Sequence, residues 1–176
     1  MKIHVLRTSG YAQHSDFCAV FEKGIKPLYL LAFLMTANHK DAEQCFVSTV
    51  EEAFKEQAVF KGWERSWVKR RLIKNAIQIA SPASARSAKR DSWEPHQREA
   101  HRYDAIDAVT KLVPLERFVL VMSILERYSA WDCSLLLGCS IKNVAVARMR
   151  ALRRLPERNA IFLGVEPLAT RQEVPA

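Results

Sequence analysis

Tyr128-Ser-Ala-Trp-Asp-Cys-Ser-Leu-Leu-Leu-Gly-Cys-Ser-Ile-Lys-Asn-Val-Ala-Val-Ala-Arg-Met-Arg-Ala-Leu-Arg-Arg-Leu155 encodes two helices and the turn between them. Ser129 and Asp132 have the spacing of a reciprocal cap, in which each side chain satisfies an orphan backbone N–H at a helix start. Gly138 follows three leucines and is the residue type that takes the left-handed conformation ending a helix. Ser140 then opens a second helix predicted over Ile141 to Leu155. Two short helices joined this way commonly place the second in the major groove of DNA, so the stretch reads as a helix-turn-helix.

The rest of the chain agrees with a helical fold. Apolar residues recur at spacings of three and four, glycines number only five, and alternating segments are few. The fold class predicted is all-α, with negligible strand: two small helical domains joined by a flexible linker. A first helix is expected from about Ser15 to Ala37, bent or interrupted near Gly24 to Pro27, with Leu28, Leu31 and Met35 inward. Asn38, with Asp41 three residues on, launches a second helix whose inward residues are Ala42, Cys45, Phe46, Thr49, Val50, Ala53 and Phe54. Its other face carries Asp41, Glu43, Gln44, Glu51 and Glu52. A third helix, Trp63 to about Ile79, is expected to turn Trp63, Trp67, Leu72, Ala76 and Ile79 inward.

Residues 81–100 hold Pro82, Pro95, four serines and mixed charges, which leaves no apolar face to bury; they form the expected linker. The domains are therefore 10–80 and 101–158, with a tail over 159–176. In the second domain, helices are expected over His101 to Val113 and over Pro114 to Glu126, where Pro114 suits a first helical position.

Composition narrows the partner. Lys plus Arg number 27 against 19 for Asp plus Glu, a net charge of +8 that suits a polyanion. From Lys61 to Lys74 there are six cations against the single Glu64, and from Lys142 to Arg158 six against Glu157. The four cysteines, Cys18, Cys45, Cys133 and Cys139, show no metal-ligand spacing and are expected as buried thiols in a reducing compartment. The longest apolar run, Leu28 to Met35, falls short of the roughly 20 residues that cross a bilayer. The first 27 residues have no signal-peptide pattern, so a cytoplasmic location without membrane insertion is expected. No catalytic constellation, metal site or cofactor motif is present: His39, His96 and His101 have no nucleophile at motif spacing, and there is no glycine-rich phosphate loop.

Two segments together resemble one family. Residues 34–54, Leu-Met-Thr-Ala-Asn-His-Lys-Asp-Ala-Glu-Gln-Cys-Phe-Val-Ser-Thr-Val-Glu-Glu-Ala-Phe, resemble the second conserved region of bacterial RNA polymerase sigma factors. Val113-Pro114-Leu115-Glu116-Arg117 and the helix-turn-helix ending Arg150-Ala151-Leu152-Arg153-Arg154-Leu155 resemble the fourth. Two regions with only a short linker between them are similar to the extracytoplasmic-function (ECF) group. The resemblance implies a non-enzymatic protein, monomeric when free, that binds core RNA polymerase, reads promoter DNA and helps open it; an anti-sigma factor is a candidate further partner that the sequence leaves open.

Residue by residue, the resemblance places Asp41, Glu43 and Gln44 at the polymerase contact. It makes the third helix the promoter-melting element, where Lys61, Arg65, Lys69, Arg70 and Lys74 would follow phosphate. Trp63 and Trp67 could stack on an extruded base, though tryptophans four apart on an amphipathic helix more often belong to a core. Asn75 matches the family's Arg-Asn pair as Lys74-Asn75; its amide could read a base edge, or be a polar residue near a helix end.

The recognition helix departs from the family. Where Thr-Val-Lys-Ser-Arg is usual, the chain has Asn143-Val144-Ala145-Val146-Ala147. Helical spacing turns Val144, Ala147, Ala151 and Leu155 inward and leaves Lys142, Asn143, Ala145, Val146 and Met149 toward the groove. Arg148, Arg150, Arg153 and Arg154 remain for phosphates. Val47 stands at a usual glutamine, and the linker is not acidic overall. The competing readings are a sigma-like polymerase-binding modulator that no longer reads promoters, and a helix-turn-helix regulator unrelated to polymerase.

Overall fold

The computed structural model describes residues 10–80 and 100–155, and the chain divides into two compact units, one ending at Arg90 and the other beginning at Asp91. The described residues are almost entirely helical, with no strand beyond one bridged residue pair. The expected linker, apart from Ala100, and the tail lie outside the described residues.

In the first unit, α1 (His14–Thr36), α2 (His39–Lys55) and α3 (Glu64–Ala80) pack pairwise against one another. Gln13 opens α1 in a capping box: its backbone N–H donates to Asp16 Oδ2 at 2.9 Å. The break expected near Gly24 to Pro27 is absent, and α1 runs through Pro27. Lys23 and Pro27 both lie on the exposed side, where water can satisfy the carbonyl that loses its partner. An interior proline costs about 3 kcal/mol, against about 1.5 to 3 kcal/mol for each large apolar side chain buried; Leu28, Leu31, Leu34 and Met35 are all buried on the turns that follow.

Ala37, at φ 58°, ends α1 by donating its N–H to the Phe33 carbonyl. Asn38 accepts the Asp41 N–H at 3.1 Å and starts α2. A polar seam joins α2 to α3. The Cys45 thiol donates to the Leu72 carbonyl at 3.2 Å, Thr49 donates back to the Cys45 carbonyl at 2.8 Å, and Asn75 donates to the Thr49 hydroxyl at 3.1 Å. Upstream of α1, Tyr11 bridges antiparallel to Phe60, tying the chain before α1 to the α2–α3 connection through Ala12 N–H to the Val59 carbonyl.

Several inward assignments change. Phe54 is exposed, Phe46 and Val50 are half-buried, Trp63 precedes α3 and is 67% exposed, and Ile79 is half-buried. Leu72 and Ala76 are buried as expected, and Glu64, Val68, Ile73 and Asn75 complete the inner face of α3. Two of the four thiols, Cys45 and Cys133, are buried; Cys18 and Cys139 are half-buried.

In the second unit, α4 (Ala100–Thr110) precedes α5 (Pro114–Leu120), α6 (Ala130–Leu137) and α7 (Ile141–Arg154). Pro114 occupies the first turn of α5. The helix expected to run uniformly to Glu126 widens into a π turn over Val121–Leu125. Glu116 to Met122 are seven consecutive buried residues, so the end of α5 and the start of the π turn are enclosed on every side. α7 packs on α5 and α6 through Val144, Ala147 and Ala151, the inner face the periodicity indicates.

Candidate nucleic-acid interface

The connection between α6 and α7 is Gly138, Cys139 and Ser140. Ser129 caps α6 by accepting the Asp132 N–H at 3.1 Å. The expected return bond differs, because the Asp132 carboxylate takes the Ser129 hydroxyl at 2.6 Å instead of its backbone N–H. Gly138, at φ 61°, ends α6, and the Cys139 N–H reaches the Ser134 carbonyl at 3.1 Å. Ser140 caps α7 by accepting the Asn143 N–H at 3.2 Å. Each bond is local in sequence, which is why the residues announce it.

α7 then presents a defined outer face. Opposite Val144, Ala147 and Ala151 lie Lys142, Val146, Met149 and Arg153, spaced as one stripe, with Ala145 and Arg150 beside it. All are exposed, as is Asn143 on the flank. No acidic residue lies on α7. Arg154 has a different partner: Nη1 donates to the buried Glu116 Oε2 at 2.6 Å, joining α7 to α5. That geometry gives Arg154 a tie within the unit, unlike the outward Arg153.

In the first unit, Arg70 and Lys74 lie exposed on the outer side of α3, with Lys69 half-buried on its flank and Arg65 exposed in the first turn. Lys61 is exposed in the preceding turn, with Nζ 3.9 Å from Asp16 Oδ1. The two tryptophans have different surroundings. Trp67 packs edge-on against Phe17 with ring centroids 5.5 Å apart, and the Arg71 guanidinium covers its ring at 5.1 Å while pairing with Glu52 at 3.0 Å. Trp67 is therefore a packing residue, and its reading as a base platform is corrected. Trp63 stays outside, edge-on to Phe60 at 6.1 Å, and Phe60 in turn stacks on Tyr11 at 5.1 Å. Tyr11, Phe60 and Trp63 make an exposed aromatic row beside Lys61. The sequence reading did not include Tyr11 or Phe60; Phe60 next to Lys61 is a local signal, whereas Tyr11 arrives only through the bridge.

Asn75 is corrected as well. It is 6% exposed, and its amide donates to Thr49 and, at 3.5 Å, to Glu52, so it is spent on the α2–α3 seam. On α2, Glu43 and Gln44 are exposed on the face opposite Ala42, Cys45, Thr49 and Ala53, with Val47 and Glu51 continuing it, and Asp41 is half-buried in the first turn. Burial pushes the Cys45 thiol up to about 12 and lowers the Arg117 guanidinium to about 10. Arg117 donates to the Leu112 carbonyl at 3.0 Å and has a packing role. Among the described residues no cluster of His, Cys, Asp or Glu could hold a metal ion, and no helix is long and apolar enough to cross a membrane.

No protein-family model matches the chain, and no curated protein does. A solved structure does: the sigma factor RpoE in complex with the anti-sigma factor NepR, from Bartonella quintana. It is similar at a TM-score of 0.57 and 18% identity, over 82% of this chain and 96% of that one. The chain thus shares an all-helical fold with a sigma factor.

Proposed function

We propose that this protein is an ECF-type RNA polymerase sigma factor, directing promoter recognition and the start of DNA-templated transcription. The observation that carries the reading is the outer face of α7: a capped helix held on α5 and α6, with Lys142, Arg150 and Arg153 exposed and no acidic residue, in a chain with a sigma-factor fold. α2 offers Asp41, Glu43 and Gln44 to core polymerase, an anionic face at a helix N-terminus that suits Arg and Lys of a partner. Lys61, Arg65, Lys69, Arg70 and Lys74 follow phosphate near the start site. Trp63, with Phe60 and Tyr11 behind it, gives an unstacked base a surface worth about 1 to 3 kcal/mol per stack. Lys142, Asn143, Met149, Arg150 and Arg153 face the distal promoter element.

The chain contributes no catalytic step; bond formation belongs to polymerase. The similar structure was solved with an anti-sigma factor, and an anti-sigma factor is proposed as a partner here too.

Run-off transcription on pooled genomic DNA, with core polymerase of the source organism, tests the reading. New discrete starts sharing two spaced elements are expected. A second reading rests on Ala145, Val146 and Met149, which lack bidentate hydrogen-bonding groups: a polymerase-binding modulator that no longer reads promoters. It predicts no new starts together with displacement of the housekeeping sigma factor.

A further inference from the structure

The outer stripe of α7 has an order that hydrogen-bond readout does not explain. Lys142 and Arg153 stand at its ends, and Val146 and Met149, 46% and 48% exposed, stand between them with Ala145 alongside. Neither Val146 nor Met149 has a strong donor, and valine has no acceptor. Leaving such side chains in water at the centre of a cationic helix face has a use if they meet an apolar surface on a polyanion.

Duplex DNA has one such surface in the major groove, the thymine C5-methyl group. The dimensions fit. Lys142 and Arg153 are eleven positions apart, about 16 Å along a helix at roughly 1.5 Å per residue, against a major groove about 12 Å wide. The two cations can therefore reach phosphates on either side while the apolar pair lies over base edges. A protein partner fits less well, because three apolar side chains fall far short of the roughly 800 Å² per partner that a stable protein interface buries.

On the assumption that α7 docks in the major groove as proposed above, we infer that Val146 and Met149, with Ala145, read the distal promoter element by contact with thymine methyl groups. The element is then A·T-rich where the stripe crosses it, and its specificity comes from shape-matched apolar contact. Lys142 and Arg153 set position on the backbone without reading sequence. Each methyl buried contributes about fourfold in affinity, the equivalent of roughly 0.8 kcal/mol.

The test is selection from a pool of randomised duplexes, using the full chain alone and the full chain bound to core polymerase. The selected site is then rebuilt with deoxyuridine for thymidine at each position, which removes only the methyl. The expected result is enrichment of two or three adjacent A·T pairs, a loss of about fourfold per contacted methyl, and disappearance of that loss in the Val146→Ala, Met149→Ala double variant. Met149→Leu, which keeps the apolar reach, should retain it. Both positions are exposed, so folding is checked by circular dichroism and is expected to be unchanged.

Equal binding of thymine and uracil sites overturns the inference. So does enrichment of G·C pairs, or DNA retention without sequence preference. An unchanged DNA affinity of the double variant, with weakened binding to a protein partner, would reassign the face to that partner. Failure of the sigma-factor reading is seen separately, as absence of polymerase association in a pull-down, while the free chain still reports on the methyl contact. No retention of DNA by either form overturns both.

Discussion

Arg154, the last residue of α7, donates from Nη1 to Glu116 Oε2 at 2.6 Å, and Glu116 is 4% exposed on α5. The pair joins positions 38 residues apart. It separates two adjacent arginines that look equivalent in sequence: Arg153 faces outward, and Arg154 satisfies a buried carboxylate.

Arg154→Met should leave the Glu116 carboxylate buried without this partner and lower the stability of the second unit by about 2 kcal/mol. Arg153→Met should change stability by less than about 0.5 kcal/mol and instead reduce the slope of DNA affinity against salt by about one. Urea denaturation paired with a salt titration on a promoter duplex checks both; equal effects of the two substitutions on stability would contradict the assignment.

Asn75→Ala should cost about 1 to 2 kcal/mol by removing the donor to Thr49 within the α2–α3 seam. The start sites chosen in run-off transcription should stay the same, since its amide does not reach solvent-facing DNA. A shifted start-site pattern in a folded Asn75→Ala protein would restore it as a base reader.

For the tryptophans the expectations are opposite. Trp67→Ala removes packing against Phe17 and the ring under Arg71, with a cost of about 3 kcal/mol. Trp63→Ala should be near neutral for stability yet weaken binding of single-stranded promoter DNA by about 1 to 3 kcal/mol. Thermal melts and fluorescence anisotropy with a single-stranded oligonucleotide distinguish them.

Asp41→Arg with Glu43→Arg should reverse the charge offered by α2 and weaken capture of core polymerase at least tenfold, with the helical circular dichroism signal retained. Undiminished capture in a pull-down would move the polymerase contact elsewhere.

The Cys45 thiol, buried and donating to the Leu72 carbonyl, is held protonated with its ionisation pushed up to about 12, because burial disfavours the thiolate. Since the thiolate is the reactive form, Cys45 should resist iodoacetamide from pH 7 to 9 and become modified only in denaturant. Peptide mapping of alkylation before and after unfolding would show it; rapid modification of the native chain at pH 7 would contradict the burial.

What the sequence alone determined is what local bonds determine. The caps at Asn38, Ser129 and Ser140, the stop at Gly138 and the inner face of α7 follow from residues within four positions of one another, and the alternatives to them are few. Even there the sequence misassigned the partner of Asp132, since the hydroxyl and the backbone N–H of Ser129 compete for one carboxylate. Pro27 appears as a break in local terms, and only the packing of the apolar side chains on the turns beyond it keeps α1 whole.

Tertiary structure decided the rest. Whether Asn75 or Arg154 meets DNA or the protein's own interior depends on Thr49 and Glu116, which are far away in sequence. The row of Tyr11, Phe60 and Trp63 exists because a bridge closes between residues 11 and 60. The π turn after α5 begins within a run of seven buried residues, Glu116 to Met122. Periodicity assigns a residue to a face of its helix; what covers that face is chosen by chain that arrives from elsewhere, and that choice separates a packing residue from a binding one.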